Sequence, residues 1–171
     1  MSDEHNPYTA PSASLVDSVQ ETALAERGER LGAALIDGVI AFAIMGPVMY
    51  LGGYWTMAFE AGMRGEQVPI MTQAMWAAIG FIVFVLVQAY PLHKTAQTWG
   101  KRLLGIRIVD LQGGQPTLIN LLAARYLPVH IVSQLPFLNV VLGLANVLLI
   151  FRADRRCGHD HIAKTRVVKA R

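Results

Sequence analysis

The sequence predicts an all-α membrane protein. Its expected form is a four-helix transmembrane bundle whose third and fourth helices are short and form a hairpin. A small extended cytoplasmic loop and a disordered N-terminal tail complete it. Three observations carry this reading. Of 171 residues, 53% are hydrophobic and only 16% charged, against about 25% charged in soluble domains. No Asp, Glu, Lys or Arg occurs from Gly38 to Phe59 or from Gln67 to His93. A third apolar stretch, Thr117 to Phe151, holds one charge, Arg125. The chain is too apolar to be disordered throughout. Its single cysteine excludes an intramolecular disulfide framework. Its net charge of +3 is too sparsely carried for a nucleic-acid-binding module.

Residues 1–26 read as a flexible acidic tail. They hold Asp3, Glu4, Asp17, Glu21 and Glu26 with no Lys or Arg, and a short helix is expected near Val16–Ala25. With no basic start and no apolar core, this is not a secretory signal. Residues 27–171 form the membrane domain. A bilayer core needs about 20 largely apolar residues in helical form. The first helix is expected over about 31–54, with Gly46-Pro47 and Gly52-Gly53 in its outer half as a kink, an early end or a cavity-forming break. The second is expected over about 73–92, centred on AAIGFIVFVLV.

The third stretch divides by charge. The segment between the first two spans has Glu60, Arg64 and Glu66, a net of −1. Lys94, Lys101, Arg102 and Arg107 against Asp110 make the next segment +3. The tail from Arg152 onward has seven Lys/Arg against two Asp, +5. Both basic segments face the cytoplasm by the positive-inside rule, so the stretch between them crosses twice or re-enters. A hinge at Ser133–Pro136 gives helices over about 118–132 and 137–150, each roughly 22 Å long. Arg27 and Arg30 fit the same orientation, which places both termini in the cytoplasm. In GIRIVDLQGGQPTL, residues 105–118, alternation followed by a Gln-Gly-Gly turn predicts a β-hairpin or extended loop.

Few residues here could carry chemistry. Asp37 lies about two turns into the first span, where an acid faces the protein interior or water and has a partner. Arg30, seven residues earlier, shares its face. Two readings stand: a proton- or cation-binding carboxylate, or a buried ion pair with Arg125 that fixes packing. Arg125 itself either snorkels to headgroups or pairs with Asp37. Cys157-Gly158-His159-Asp160-His161 has metal-ligating types but lacks the second ligand pair of a closed zinc site, so no metal is expected. Its basic flanks suit anionic lipid. Lys101, Arg102, Arg155 and Arg156 are the lipid-facing basic candidates. Neither a nucleophile triad nor an HExxH motif occurs, no cofactor is implied, and no enzyme is expected.

These residues together resemble the RDD family of small bacterial integral membrane proteins, from about Arg27 to Val168. The blocks are Arg30-Leu31-Gly32-Ala33-Ala34-Leu35-Ile36-Asp37, then Thr98-Trp99-Gly100-Lys101 through Val109 (the family's TxGKxxxGxxVV-like stretch), and Asp154-Arg155-Arg156 with His159-Asp160 and Ala163 to Val168. The family pattern usually has glycine where this chain has Lys164. The resemblance implies a multi-pass protein of the bacterial inner membrane, with proposed transport of unidentified ligands and, in some members, sodium/proton antiport. It makes Arg30, Asp37 and Asp160 the candidate functional residues, with Arg125 added from its place in the third stretch. The expected partners are the lipid bilayer, a second copy of the chain, and a small cation or proton. The competing expectation is a non-transporting scaffold or accessory subunit in which the same residues are structural.

Overall fold

The computed structural model describes residues 23–134 and 138–170. The fold is mostly helical, with one two-stranded sheet. Helix α1, Arg27–Leu51, opens with a capping box in which Glu26 and Glu29 satisfy each other's backbone N–H groups. It ends at Leu51, three residues short of the predicted end, because Gly52 and Gly53 follow and Gly53 adopts φ 74°. Helix α2, Tyr54–Met63, then begins; the sequence reading has no helix there. Gly52 lies against α3: a Cβ on it would stand 2.4 Å from the Trp76 ring. Helix α3, Ile70–Thr95, spans the predicted second helix and extends it at both ends. Ala96, at φ 51°, terminates it. Thr98 then caps the short helix α4, Trp99–Leu103, by accepting from the Lys101 N–H.

Strand β1, Ile106–Asp110, ends in a turn that Asp110 closes, accepting from Gly114 N–H at 2.7 Å. Its partner is not the segment after the turn. It pairs antiparallel with β2, Thr165–Lys169, with Ile108 opposite Val167. The predicted hairpin is therefore a long-range pairing. Pro116 has no N–H to give a ladder, whereas Thr165 and Val167 alternate inward as Ile106 and Ile108 do. On the other edge of β2, Ala25 donates to Val167 O and Lys169 to Ala23 O. Residues 23–25 are thus extended rather than helical; residues 1–22 of the predicted tail lie outside the described residues.

Helix α5, Leu118–Ser133, contains a π-helical stretch, Leu121–Tyr126, where Leu127 N–H reaches Leu122 O. The cause follows from the sequence: Pro128 lacks an N–H and crowds the carbonyl four residues back, and the turn before it widens. Helix α6, Leu138–Leu148, runs into a 3₁₀ turn, Leu149–Phe151, and α7, Gly158–Ile162, precedes β2. The predicted hinge lies partly outside the described residues.

The start of α1, the end of α3, α4, the start of α5, α7 and the sheet meet at one end of the molecule. Ala33, Leu92, Ile106, Ile108, Leu121 and Val167 form the buried core there. Away from that end, large apolar side chains lie open: Leu35 is 63% exposed, Val39 69% and Leu86 74%. With 25 and 26 residues, α1 and α3 extend about 37 and 39 Å, past the roughly 30 Å bilayer core. They are apolar enough to cross it. The predicted third and fourth helices are present, but at about 24 and 16 Å they are shorter than that core. Among the described residues two helices, rather than four, meet the length of a full span.

Candidate functional site

Two carboxylates organise the polar end. Asp160 sits at N3 of α7, fully buried. Its Oδ2 accepts from Arg30 Nη2 of α1 and from the Cys157 N–H at 3.0 Å, closing the cap of its own helix. Its Oδ1 accepts from Arg125 Nη1, the widened turn of α5 bringing that guanidinium, 2% exposed, onto it. Arg125 Nη1 also donates to Thr165 Oγ1 at 2.6 Å. One carboxylate thus ties α1, α5, α7 and β2 together. Arg30 Nη1 adds a bond to the Arg155 carbonyl. Burial alone would raise the Asp160 pKa, but Arg125, Arg30 and the Cys157 N–H outweigh it and hold the group below the usual carboxylate range. Burial and Arg125 push His159 down to about 3, so its ring is neutral at pH 7. Burial pushes the Cys157 thiol up.

Asp37 belongs to a second cluster. Its Oδ1 accepts from Gly100 N–H at 2.8 Å and Gln88 Nε2 at 3.1 Å; its Oδ2 accepts from Thr98 Oγ1. Gln88 Oε1 in turn takes the Trp99 N–H at 3.0 Å. The carboxylate therefore docks α4 against α1 and α3. The approach is close: a Cβ on Gly100 would stand 2.2 Å from Ala33 O. Among the described residues Asp37 makes no ion pair.

The structure thus separates residues that spacing put together. Arg30 and Asp37 project from one side of α1 but serve different clusters, and Arg125 pairs with Asp160, not Asp37. Gln88, Thr98 and Gly100 are absent from the sequence candidates. Their signal was present: Gln88 is a polar residue inside an apolar run, and Thr98 stands where a helix N-cap is expected. Of the basic candidates, Arg156 turns inward, its Nε donating to Thr165 O and its Nη2 to Asp160 O, both at 3.0 Å. Arg102 is exposed and lies over the Trp99 ring at 5.7 Å. Lys101, half-buried, reaches Thr98 Oγ1 at 3.4 Å. Arg155, half-buried, takes a left-handed backbone at φ 48°.

Cys157, His159 and Asp160 bring ligand atoms within 4.8 Å of one another. Two guanidiniums already occupy the carboxylate, which opposes a cation there. Among the described residues, a cavity of about 520 Å³ is bounded by α5, α6 and α7 beside this cluster, and one of about 460 Å³ lies between the start of α3 and the far half of α5, toward the opposite end; both are lined chiefly by apolar side chains. A third, about 60 Å³, adjoins Asp37 and Gln88.

Comparison with known proteins gives one family and two relatives. The sequence model of the RDD family matches residues 24–164. An uncharacterized protein of Haemophilus influenzae is 26% identical over 87% of this chain and 80% of its own length. The uncharacterized protein YckC of Bacillus subtilis is 29% identical over 82% of each chain. No solved structure matches significantly.

Proposed function

The chain belongs to the RDD family, and from that premise we propose that it is a multi-pass inner-membrane scaffold or accessory protein, its Arg/Asp network serving as a structural clamp rather than a transport path. The single observation that carries this reading is the saturation of the two carboxylates. Asp160 spends both oxygens on Arg30, Arg125 and the Cys157 N–H, and Asp37 spends both on Gly100, Gln88 and Thr98. Buried groups satisfied in this way hold packing; a carrier's carboxylate needs a vacancy for its ion. In this reading the polar end faces the cytoplasm, since the +3 and +5 segments lie there.

A second reading, a proton- or cation-coupled carrier, has one observation in its favour. Asp37 has no cationic partner among the described residues, and a cavity of about 60 Å³ adjoins it, room for about two waters. Flux measurements in proteoliposomes separate the two. We expect no gradient-driven proton or sodium flux for the wild type, and lower thermal stability for Asp37→Asn. Flux in the wild type that Asp37→Asn abolishes would overturn the scaffold reading in favour of the carrier.

A further inference from the structure

Helix α4 is held at a fixed height on the two long helices. Pro91 has no N–H, so the Val87 carbonyl four residues earlier lacks its helical partner; the Trp99 indole Nε1–H donates to it at 2.9 Å. On α1, a Cβ at Gly32 would stand 3.0 Å from Leu104 Cδ1, and one at Gly100 would meet Ala33 O. α4 therefore crosses α1 at Gly32–Ala33, less than one turn past Arg30. Charge gives way to open leucine at that level. Arg27, Glu29 and Arg30 lie before it, and Leu31 and Leu35 are exposed at and beyond it. The short helix thus lies along the boundary between the polar end of the molecule and its apolar flank.

The outward face of α4 carries one cation and one large apolar group side by side. Leu103 is 71% exposed. Arg102, also exposed, has its guanidinium 5.7 Å from the centre of the Trp99 ring, a contact that orients the cation. Its N–H groups make no hydrogen bond or ion pair among the described residues. Lys101, by contrast, turns in to Thr98 Oγ1. On α3, Val87 lies three residues before Tyr90 and seven before Lys94, so an exposed aromatic and a second exposed cation share the side on which Trp99 docks. The acids nearby are committed: Glu26 and Glu29 to Lys169, Asp110 to its own turn, and Asp37 beneath α4 to Gly100, Gln88 and Thr98. The free charge on this face is therefore positive. Trp and Tyr at one level, beside open leucine, match a membrane–water interface, and a guanidinium fork fits the oxygens of a phosphate. We propose that the outer face of α4 docks the headgroup of an anionic phospholipid, the phosphate oxygens accepting from Arg102 while Leu103 meets the acyl chains. The inference rests on the membrane placement proposed above. It gives the Asp37 cluster a further consequence: the bonds from Asp37, Gln88 and Val87 to α4 set the depth of Arg102 in the leaflet.

The test is native mass spectrometry of the full chain in a neutral detergent, with phosphatidylglycerol or phosphatidylcholine added separately. Phosphatidylglycerol should be retained about fivefold better, the factor that one basic residue near a membrane surface contributes. Arg102→Gln should bring its retention down to that of phosphatidylcholine while leaving the melting temperature unchanged. Leu103→Asp sets a like charge beside the phosphate and should do the same; it carries the test if the glutamine variant does not fold. Lys164→Gln removes an exposed cation from the same end of the molecule but outside α4, and should leave the ratio at its wild-type value. Equal retention of the two lipids by the wild type, an unchanged ratio in Arg102→Gln, or as large a loss in Lys164→Gln would overturn the assignment. So would displacement of phosphatidylglycerol by millimolar inorganic phosphate, since the face then takes a free anion. A chain that fails to sediment with the membrane fraction before any lipid is added refutes the membrane placement itself, a result distinct from all of these.

Discussion

At the scale of residues, Asp160 has the largest consequence. Replacing it with Asn leaves Arg30 and Arg125 buried without their counter-charge. Removing one partner of a buried pair costs about 3–5 kcal/mol. The Asp160→Asn protein should therefore unfold at a markedly lower temperature in detergent, or be recovered only in low yield; an unchanged melting temperature would contradict the clamp. Beside it, His159 predicts a pH dependence of definite sign. Its pKa in the folded protein is about 3, below the ordinary 6.5, so between these values the unfolded chain binds more protons. Stability is full above pH 6.5 and falls as pH drops toward 3, by up to about 1.4 kcal/mol per unit. Asp160, held low, adds a loss only below about pH 4. Thermal unfolding of His159→Gln should show a flatter slope between pH 7 and pH 4.5; an identical slope would place the titration elsewhere. Sequence spacing found Arg30, Asp37, Arg125 and Asp160 as the charged groups to watch. It could not pair them, because the partner of Arg30 lies 130 residues away and no periodicity on one helix reports a contact with another.

At the scale of elements, the legible parts were those with long uniform patterns. Long, largely apolar runs placed α1, α3, α5 and α6 within a few residues. The shorter parts depend on tertiary context. β2 reads as a basic tail until Val167 and Val168 are seen packed against β1, and α2 exists because Gly53 reverses the chain. The π turn follows from Pro128 only once the helix is known to continue through it. The junction of α1 with α4 shows how closely such context is enforced. Gly100 carries the N–H that Asp37 accepts, and a Cβ there would stand 2.2 Å from Ala33 O, a backbone atom that cannot swing aside. Gly100→Ala should lower stability by a few kcal/mol, the range of overpacking strain, with the loss of the Asp37 bond added. Gly38→Ala, where a Cβ has nothing within 4 Å, should instead be neutral or stabilising by up to about 1 kcal/mol. Parallel melting curves of the two variants decide the matter; equal effects would mean that α4 is not clamped against α1.

At the scale of the whole molecule, the polar end gathers contributions from nearly every element. Leu24 bridges Val168, Gln115 Nε2 donates to His93 O, Asn120 Nδ2 to Ala163 O, and Arg27 Nη2 to Phe151 O. The start of α1, the end of α3, the start of α5 and the turn after α6 therefore lie at one end of the molecule. A chain that leaves that end along α1 returns along α3, and one that leaves along α5 returns along α6. The charge count agrees with this arrangement: both strongly basic segments lie at the gathered end, while Glu60, Arg64 and Glu66 lie in the connection opposite. Accessibility from the two sides of the membrane follows from it. In a Cys157→Ser background, a cysteine introduced at Gln112, in the exposed turn after β1, should react with a membrane-impermeant maleimide only from the cytoplasmic side. One at Gly65, between α2 and α3, should react only from the opposite side. One at Gln134, at the tip of α5, tests the short arm: a helix of about 24 Å starting at the gathered end stops inside a core of about 30 Å, so this thiol should resist the reagent from both sides and react only after solubilisation. Ready labelling at Gln134 from the outside would mean that the α5–α6 arm crosses completely. Labelling of Gln112 and Gly65 from the same side would refute the spanning of α1 and α3.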